Sequence, residues 1–305
     1  MTRDPQQDPM NTSNDGNAHR SLSTEHSSKG LAAEQEALWN GARGQAWAEG
    51  EALMDQMLAP LLERLIDRID GAESVLDVGC GNGALTIELA QRFGSTRLTG
   101  IDLSAPMLTN ARRRASGLDD VEFLQGDAQT FDFGTRRFDR IVSRFGCMFF
   151  ADPVSAFANL AGVATAGAEL VTVVWRGPEE NPFMTAGSEA ASFFVEAPPS
   201  RAATDPGPFS FADPDHLEGV LRDSGWTNVR QQNLDETCSF PACDLDHFVE
   251  RIAPLGVELD SLDAETRSQV VNAARAAYRS FVTGEELRFG AACRIVEATT
   301  PGERS

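Results

Sequence analysis

Alternating glycines and regularly placed aspartates are the residues of this sequence best suited to chemistry. Val75-Leu76-Asp77-Val78-Gly79-Cys80-Gly81-Asn82-Gly83-Ala84 reads as a short apolar strand that enters a glycine turn and opens a helix. Glycines in that turn let the backbone bend tightly and let a ligand lie against the main chain at the helix N-terminus. Gly79, Gly81 and Ala84 also satisfy the dinucleotide spacing G-x-G-x-x-G/A, so the glycines alone do not separate one nucleotide-like ligand from another.

The acids separate them. Asp77 precedes the first glycine by two residues. A carboxylate there would oppose a bound pyrophosphate and favour a ligand whose neighbouring group is a cation. S-adenosylmethionine carries an ammonium beside a sulfonium, whereas a nicotinamide dinucleotide carries a diphosphate. The next strand ends in Gly100-Ile101-Asp102-Leu103-Ser104. An acid about 20 residues beyond the turn can accept from both ribose hydroxyls of either cofactor. The third strand ends in Gln125-Gly126-Asp127-Ala128, suited to an adenine amino group. Any one of these aspartates could be a helix cap, but three at successive strand ends favour one shared ligand.

The elements that must position these residues alternate strictly. Strands over 75–79, 97–103, 121–126, 138–144 and 169–175 are separated by helices over 84–93, 105–115 and 153–163. That order predicts an α/β, Rossmann-like doubly wound sheet, mostly parallel with a final antiparallel strand, plus N-terminal helices and a helical insertion or lid. Residues 1–30 are polar and read as a disordered tail. Residues 31–70 read as an N-terminal helical cover broken at Asn40-Gly41 and at Pro60, with 71–176 as the cofactor-binding core. In 177–305 the rest of the sheet, strands over 228–237 and 287–298, lies among segments that cover a substrate, 181–211 and 238–286.

VLDVGCGNG, GIDLSAPML, FLQGDAQTF and FDRIVSRFGCMFF, in that order, resemble the four cofactor motifs of class I S-adenosylmethionine-dependent methyltransferases of the bacterial small-molecule type. The resemblance implies that Asp77, Gly79 and Gly81 hold the methionine end of the cofactor, Asp102 the ribose, and Asp127 with Ala128 the adenine, with Cys80 and Leu103 also among the cofactor-binding residues. Met107 would pack against the base, and Arg144, Phe145 and Gly146 would touch both cofactor and acceptor. Trp39-Asn40-Gly41 and Trp47 are similar to a helical cover in such enzymes, with Trp47 at the cofactor wall. The likeness stops at one place. Quinone C-methyltransferases follow the fourth strand with glycine-x-Arg-Asn, whereas Gly146 here precedes Cys147-Met148-Phe149-Phe150, which speaks against a quinone acceptor.

A sulfonium methyl is already activated, so the enzyme must mainly bring a nucleophilic O, N, S or C atom into line with it, at about 3 Å in a dry site. His216 and His247 could each serve as a base, or be ordinary surface or core residues, and no catalytic residue is assigned. Arg144 could hold an acceptor carboxylate or cap the sheet. Met148, Trp175, Phe183 and Tyr278 are the other substrate-binding candidates, with Phe149 and Phe183 equally suited to filling the core.

Composition narrows the alternatives. The 305 residues carry a formal charge of −20, which opposes nucleic-acid binding; Arg112 to Arg114 is the only basic run. Lys29 is the sole lysine, so the folded body offers neither a P-loop lysine nor a Schiff-base lysine. The five cysteines contain no C-x-x-C pair, and Cys238, Cys243 and His247 would make an incomplete zinc site; no metal is expected. The expectation is a cytoplasmic enzyme with no membrane span and a small-molecule methyl acceptor, compatible with homo-oligomers, yielding S-adenosyl-L-homocysteine from S-adenosyl-L-methionine. The competing readings are an NAD(P)-dependent oxidoreductase on the same turn and a non-catalytic cofactor-binding protein.

Overall fold

The structure, a computed structural model, describes residues 15–94, 96–196 and 202–302, with side chains from residue 28 onward. Residues 1–14 of the expected disordered tail lie outside the described residues, whereas from Asp15 the chain is already helical, as part of α1 (Asp15–Asn40). No proline interrupts that span, and its two glycines, Gly16 and Gly30, lower helix propensity without ending the helix. α2 (Ala42–Glu49) follows after Gly41, the expected break.

The second break comes at Gly50 and not at Pro60, which lies inside α3 (Glu51–Ile66). Proline there forgoes one backbone hydrogen bond. Burial on both sides of it, of Met57 and Leu58 before and Leu61 and Leu65 after, holds the helix together.

Strands and helices then alternate as the sequence requires: β1 (Ser74–Val78), α4 (Ala84–Arg92), β2 (Arg97–Asp102), α5 (Ala105–Arg114), β3 (Val121–Gln125), β4 (Phe138–Arg144), α6 (Pro153–Val163) and β5 (Ala164–Trp175). Local chemistry sets their starts. Ser104 caps α5 by accepting from Met107 N, and Asp152 caps α6 by accepting from Ser155 N, each just ahead of a proline in the first turn. Further on come α7 (Pro182–Ala191), α8 (Pro214–Asp223), β6 (Thr227–Pro241), α9 (Leu245–His247) with a π turn at Phe248–Ile252, α10 (Ala264–Arg279), β7 (Val282–Thr283) and β8 (Glu286–Thr299).

The sheet has eight strands in the order β3-β2-β1-β4-β5-β8-β6, with β7 paired to β8. β1 to β5 are mutually parallel, and β8 runs antiparallel to both β5 and β6. This is the Rossmann-like mixed sheet with a final antiparallel strand. β5 and β6 are longer than their apolar patterns suggest, because both pair with the fourteen-residue β8.

Every parallel strand points its carboxyl end to the same edge, and the order reverses direction between β1 and β4. Ligands of open α/β sheets sit outside such an edge at such a reversal. The basic run on α5 has partners within the chain: Arg113 and Arg114 pair with Glu51, Arg114 also with Asp55 of α3, and Arg112 donates to the Phe123 carbonyl. Among the described residues no helix is long and apolar enough to cross a membrane.

Candidate functional site

The turn after β1 is built from glycines in the left-handed region: Gly79 at φ +68°, Gly81 at +55° and Gly83 at +80°. Gly79 N donates to Ile101 O at 2.9 Å, tying the turn to β2. Asp102, at the end of β2, accepts from Gly81 N and from Ser104 N, each at 2.8 Å. One carboxylate thereby fixes the glycine turn and the start of α5 together. Burial raises its pKa and those backbone bonds lower it, with burial the larger effect. Asp127 is half-buried beyond β3, accepts from Gln129 N at 2.9 Å and is likewise raised by burial.

These groups border a narrow cavity of about 130 Å³ at the switch point. Gly79, Gly81, Asp102, Leu103 and Met107 line it from β1, β2 and α5; Asp127 and Ala128 close one side, and Arg144, Phe145 and Gly146 another. Trp39 and Trp47 of the N-terminal helices form the roof, ring centroids 5.6 Å apart and edge to face. Two donors beside it are buried without a partner, Arg144 Nη1 and Trp47 Nε1. Burial pushes the Arg144 guanidinium down, while the Asp55 and Asp77 carboxylates pull it back up. An unpaired buried donor is costly, so a ligand bearing acceptor oxygens is the natural complement.

Two expected residues do not reach this wall. Asp77 is fully enclosed beneath the turn, where its Oδ2 accepts from Thr86 Oγ1 at 2.6 Å. Burial pushes its carboxyl up to about 6, against the Thr86 hydrogen bond and the Arg144 charge. It braces the turn from below and does not face the cavity as the spacing implied. Cys80 is also turned away, packed with Ile87, Leu108 and Phe123 in a small separate cluster. Gly79 and Gly81 offer backbone to the cavity, while Asp77 and Cys80 pack on the inner side of the turn against Thr86 and Phe123.

A second, larger cavity of about 770 Å³ adjoins the first and shares Gln35, Trp39, Trp47, Phe145 and Phe149 with it. Met148, Trp175 and Phe183 line it as expected. Tyr278 does not: it is completely buried behind Phe183, its ring 5.0 Å away, with its hydroxyl against Gly187. Arg144 borders only the first cavity, and neither His216 nor His247 borders either one. Met54, Met57 and Leu58 of α3, Arg43 of α2, and Phe248 and Phe289 complete walls that no sequence pattern singled out. An apolar helix face looks the same in sequence whether it meets a core or a cavity. Among the described residues no cluster of three or more His, Cys, Asp or Glu side chains could hold a metal ion.

The glycine turn, the strand-end acids and the roof of two tryptophan rings invite comparison with known proteins. Residues 75–167 match the family described as "Methyltransferase domain". A demethylmenaquinone methyltransferase of Renibacterium salmoninarum is 28% identical over 171 residues, covering 53% of this chain and 70% of that protein. An aklanonic acid methyltransferase of a Streptomyces species is 31% identical over 135 residues, 41% of this chain and 61% of that one. In fold, the chain is similar to a Haemonchus contortus phosphoethanolamine N-methyltransferase solved with S-adenosyl-L-methionine. That likeness has a TM-score of 0.50 at 16% identity and covers 79% of this chain and 52% of that one. Residues 75–167 of this chain are thus a methyltransferase domain, set in a fold similar to that of solved S-adenosylmethionine-dependent methyltransferases.

Proposed function

We propose that this protein transfers the methyl group of S-adenosyl-L-methionine to a small molecule seated in the larger cavity. The observation that carries the reading is the shared wall. Trp39, Trp47, Phe145 and Phe149 border both cavities, so a ligand along the strand-end acids would meet a second ligand in the apolar chamber without crossing solvent.

In this reading Asp102 receives the ribose hydroxyls while holding the turn, and Asp127 with Ala128 receives the adenine over Met107 and Leu103. The backbone of Gly79 and Gly81 carries the amino-acid end, and Arg144 supplies its idle Nη1 to the carboxylate. Asp77 and Cys80 act from behind, as supports of the turn. The α1–α2 pair and the segments over 181–211 and 238–286 form the cover that excludes water. The 130 Å³ cavity is tight for an adenosyl ligand, so the roof must lift or the two cavities merge as the ligand enters.

Bound there, S-adenosyl-L-methionine supplies a sulfonium-activated methyl group, which an acceptor lone pair takes in line with the carbon–sulfur bond as that bond's electrons return to sulfur. The chain's own part is to orient and to dry the site. No histidine stands at either wall among the described residues, and Glu34 and Glu258 are the carboxylates lining the larger cavity. The named acceptors of the two relatives, demethylmenaquinone and aklanonic acid, support a small-molecule acceptor.

Titration calorimetry with S-adenosylhomocysteine and, separately, with NAD tests the reading. Tight binding of the first and none of the second is expected, and Asp102→Ala should weaken the first by about 10- to 100-fold, the worth of hydrogen bonds to a charged group. Binding of NAD alone overturns it.

A further inference from the structure

The larger cavity has two chemically different ends. Its inner end is the wall shared with the cofactor cavity, made of Trp39, Trp47, Phe145 and Phe149. Its outer end is shared instead with a surface cleft, through Leu38, Arg43, Gly256 and Glu258. Between them the lining is almost wholly apolar. Besides Arg43 and Glu258, the polar side-chain groups among the described lining residues are those of Glu34 and Gln35 and the indole N–H groups of Trp39, Trp47 and Trp175, and Ser, Thr, Tyr, Asp, Asn, His and Lys are absent from it.

Aromatic rings dominate the middle. Phe145 stacks on Trp175 with centroids 4.7 Å apart and planes 6° apart, and Phe183 stacks on Phe289 at 3.7 Å and 6°. All four rings line the cavity. Met54, Met57, Met148 and Met184 fill the gaps with polarizable thioethers that favour aromatic edges. At the outer end Arg43 donates Nη1 to the Ile252 carbonyl at 3.0 Å, and the Glu258 carboxylate acts on its charge from the same end.

We infer that the acceptor is a planar, multi-ring aromatic molecule that enters ring-first, with a single acidic or carbonyl oxygen left at the outer end for Arg43 and the nucleophilic atom borne on the ring at the inner end. The inference deepens the methyltransferase reading by naming its substrate class. A cavity of about 770 Å³ lies in the range of drug-sized sites, roughly 300–1,000 Å³. A small polar acceptor such as an amino acid or an amino alcohol would lose its water there and find almost no partner. A flexible alkyl chain would fit the polarity but would pay conformational entropy that a rigid ring system does not.

Trp39, Trp47 and Trp175 line the cavity while Trp226 is buried elsewhere with its Nε1 on the Phe157 carbonyl, so tryptophan fluorescence reports occupancy without any cofactor. The probes are pyrene-1-carboxylate, 1-pyrenemethanol, decanoate and phosphoethanolamine. Pyrene-1-carboxylate is expected to quench saturably and to bind at least ~10-fold more tightly than decanoate, with phosphoethanolamine silent. Arg43→Met should weaken pyrene-1-carboxylate by about 5- to 10-fold and leave 1-pyrenemethanol within about twofold, the signature of one charge-assisted contact. Met184→Arg, on the half-buried face of α7, should abolish pyrene binding with S-adenosylhomocysteine affinity intact, which certifies the fold. Equal affinity for decanoate and pyrene-1-carboxylate overturns the planar class. Pyrene binding indifferent to Met184→Arg overturns the location, and equal loss of both pyrenes in Arg43→Met overturns the orientation. Pyrene binding in a protein that ignores S-adenosylhomocysteine would keep the aromatic site and remove the methyltransferase reading.

Discussion

A Cβ on Gly79 would stand 2.5 Å from the Cα of Gly146, and a Cβ on Gly146 would stand 2.6 Å from the Cα of Gly79. The turns after β1 and β4, neighbouring strands on either side of the topological reversal, therefore meet backbone to backbone. That contact forms the floor of the narrow cavity, and no side chain fits between its halves.

Gly146→Ala is accordingly expected to destabilise the protein, because its Cβ would also lie 2.5 Å from the Val78 carbonyl oxygen. Prying the turns apart should lower stability by about 1–3 kcal/mol, the range for overpacking a rigid site. Gly79→Ala adds the strain of an alanine at φ +68°. Thermal melts of the two variants measure this, and S-adenosylhomocysteine affinity should fall with stability in both. A Gly146→Ala protein that melts and binds like the parent would show that the floor is free to widen.

The buried Asp77 makes stability depend on pH with an unusual sign. Its carboxyl is raised from 3.8 to about 6 by burial, so between those values the folded state holds a proton that the unfolded state has released. Its contribution is therefore fully present below about pH 4, is lost as pH climbs towards 6, and stays lost above. A shift of that size corresponds to about 3 kcal/mol. Asp77→Asn keeps an acceptor for Thr86 Oγ1 and removes the buried charge. Denaturant melts from pH 4 to pH 8 should show the variant gaining on the parent as pH rises, with the gap levelling off above about pH 7. A gap that shrinks with rising pH would mean that the carboxylate is paid for by Arg144 more fully than its enclosure suggests.

Arg144 is the cation nearest that carboxylate, and its Nη1 lacks a partner. Arg144→Met should weaken S-adenosylhomocysteine by at least ~10-fold, the loss of one charge-assisted pair, while 5′-methylthioadenosine, which lacks the amino-acid end, binds within about twofold of the parent. Calorimetry with the two ligands separates a carboxylate contact from general collapse of the pocket, since collapse would cost both equally.

Much of this architecture could be read from residue order. β4 over Phe138–Arg144 and α6 over Pro153–Val163 agree with their sequence patterns because apolar runs and an Asp-Pro start define them locally. The strand-end acids and glycines were legible for the same reason, since a motif fixes its own turn. What escaped depends on partners distant in sequence. Gly50 ends a helix against Ile252, and Pro60 survives in one because its flanks are buried. Which way Asp77 and Cys80 leave their turn is decided by Thr86 and Phe123 packed on the inner side. Tyr278 lies behind the Phe183 and Phe248 rings, which line the larger cavity in its place.

The roof over the narrow cavity is tied to the core by amide side chains. Asn40 Nδ2 donates to the Leu103 carbonyl at 3.1 Å while its Oδ1 accepts from Ala105 N at 3.0 Å. Asn82 Nδ2 donates to the Trp47 carbonyl at 2.9 Å, and Asn110 Nδ2 to the Ala48 carbonyl at 2.5 Å. Asn40 is exposed, so its removal should lower the melting temperature by no more than several degrees, about 2–4 °C per kcal/mol lost. It nevertheless spans the loop from Trp39 to the strand end that carries Asp102, and its two bonds are worth about 1 kcal/mol each. Asn40→Ala should therefore let the roof lift more often, raising both association and dissociation rates of S-adenosylhomocysteine about 5- to 30-fold and leaving their ratio nearly constant. Stopped-flow tryptophan fluorescence follows both rates, with Trp39 and Trp47 as reporters within the moving element itself. Rates unchanged beside an unchanged affinity would show that ligands enter by the apolar chamber, past Arg43, and that the helical roof stays shut throughout.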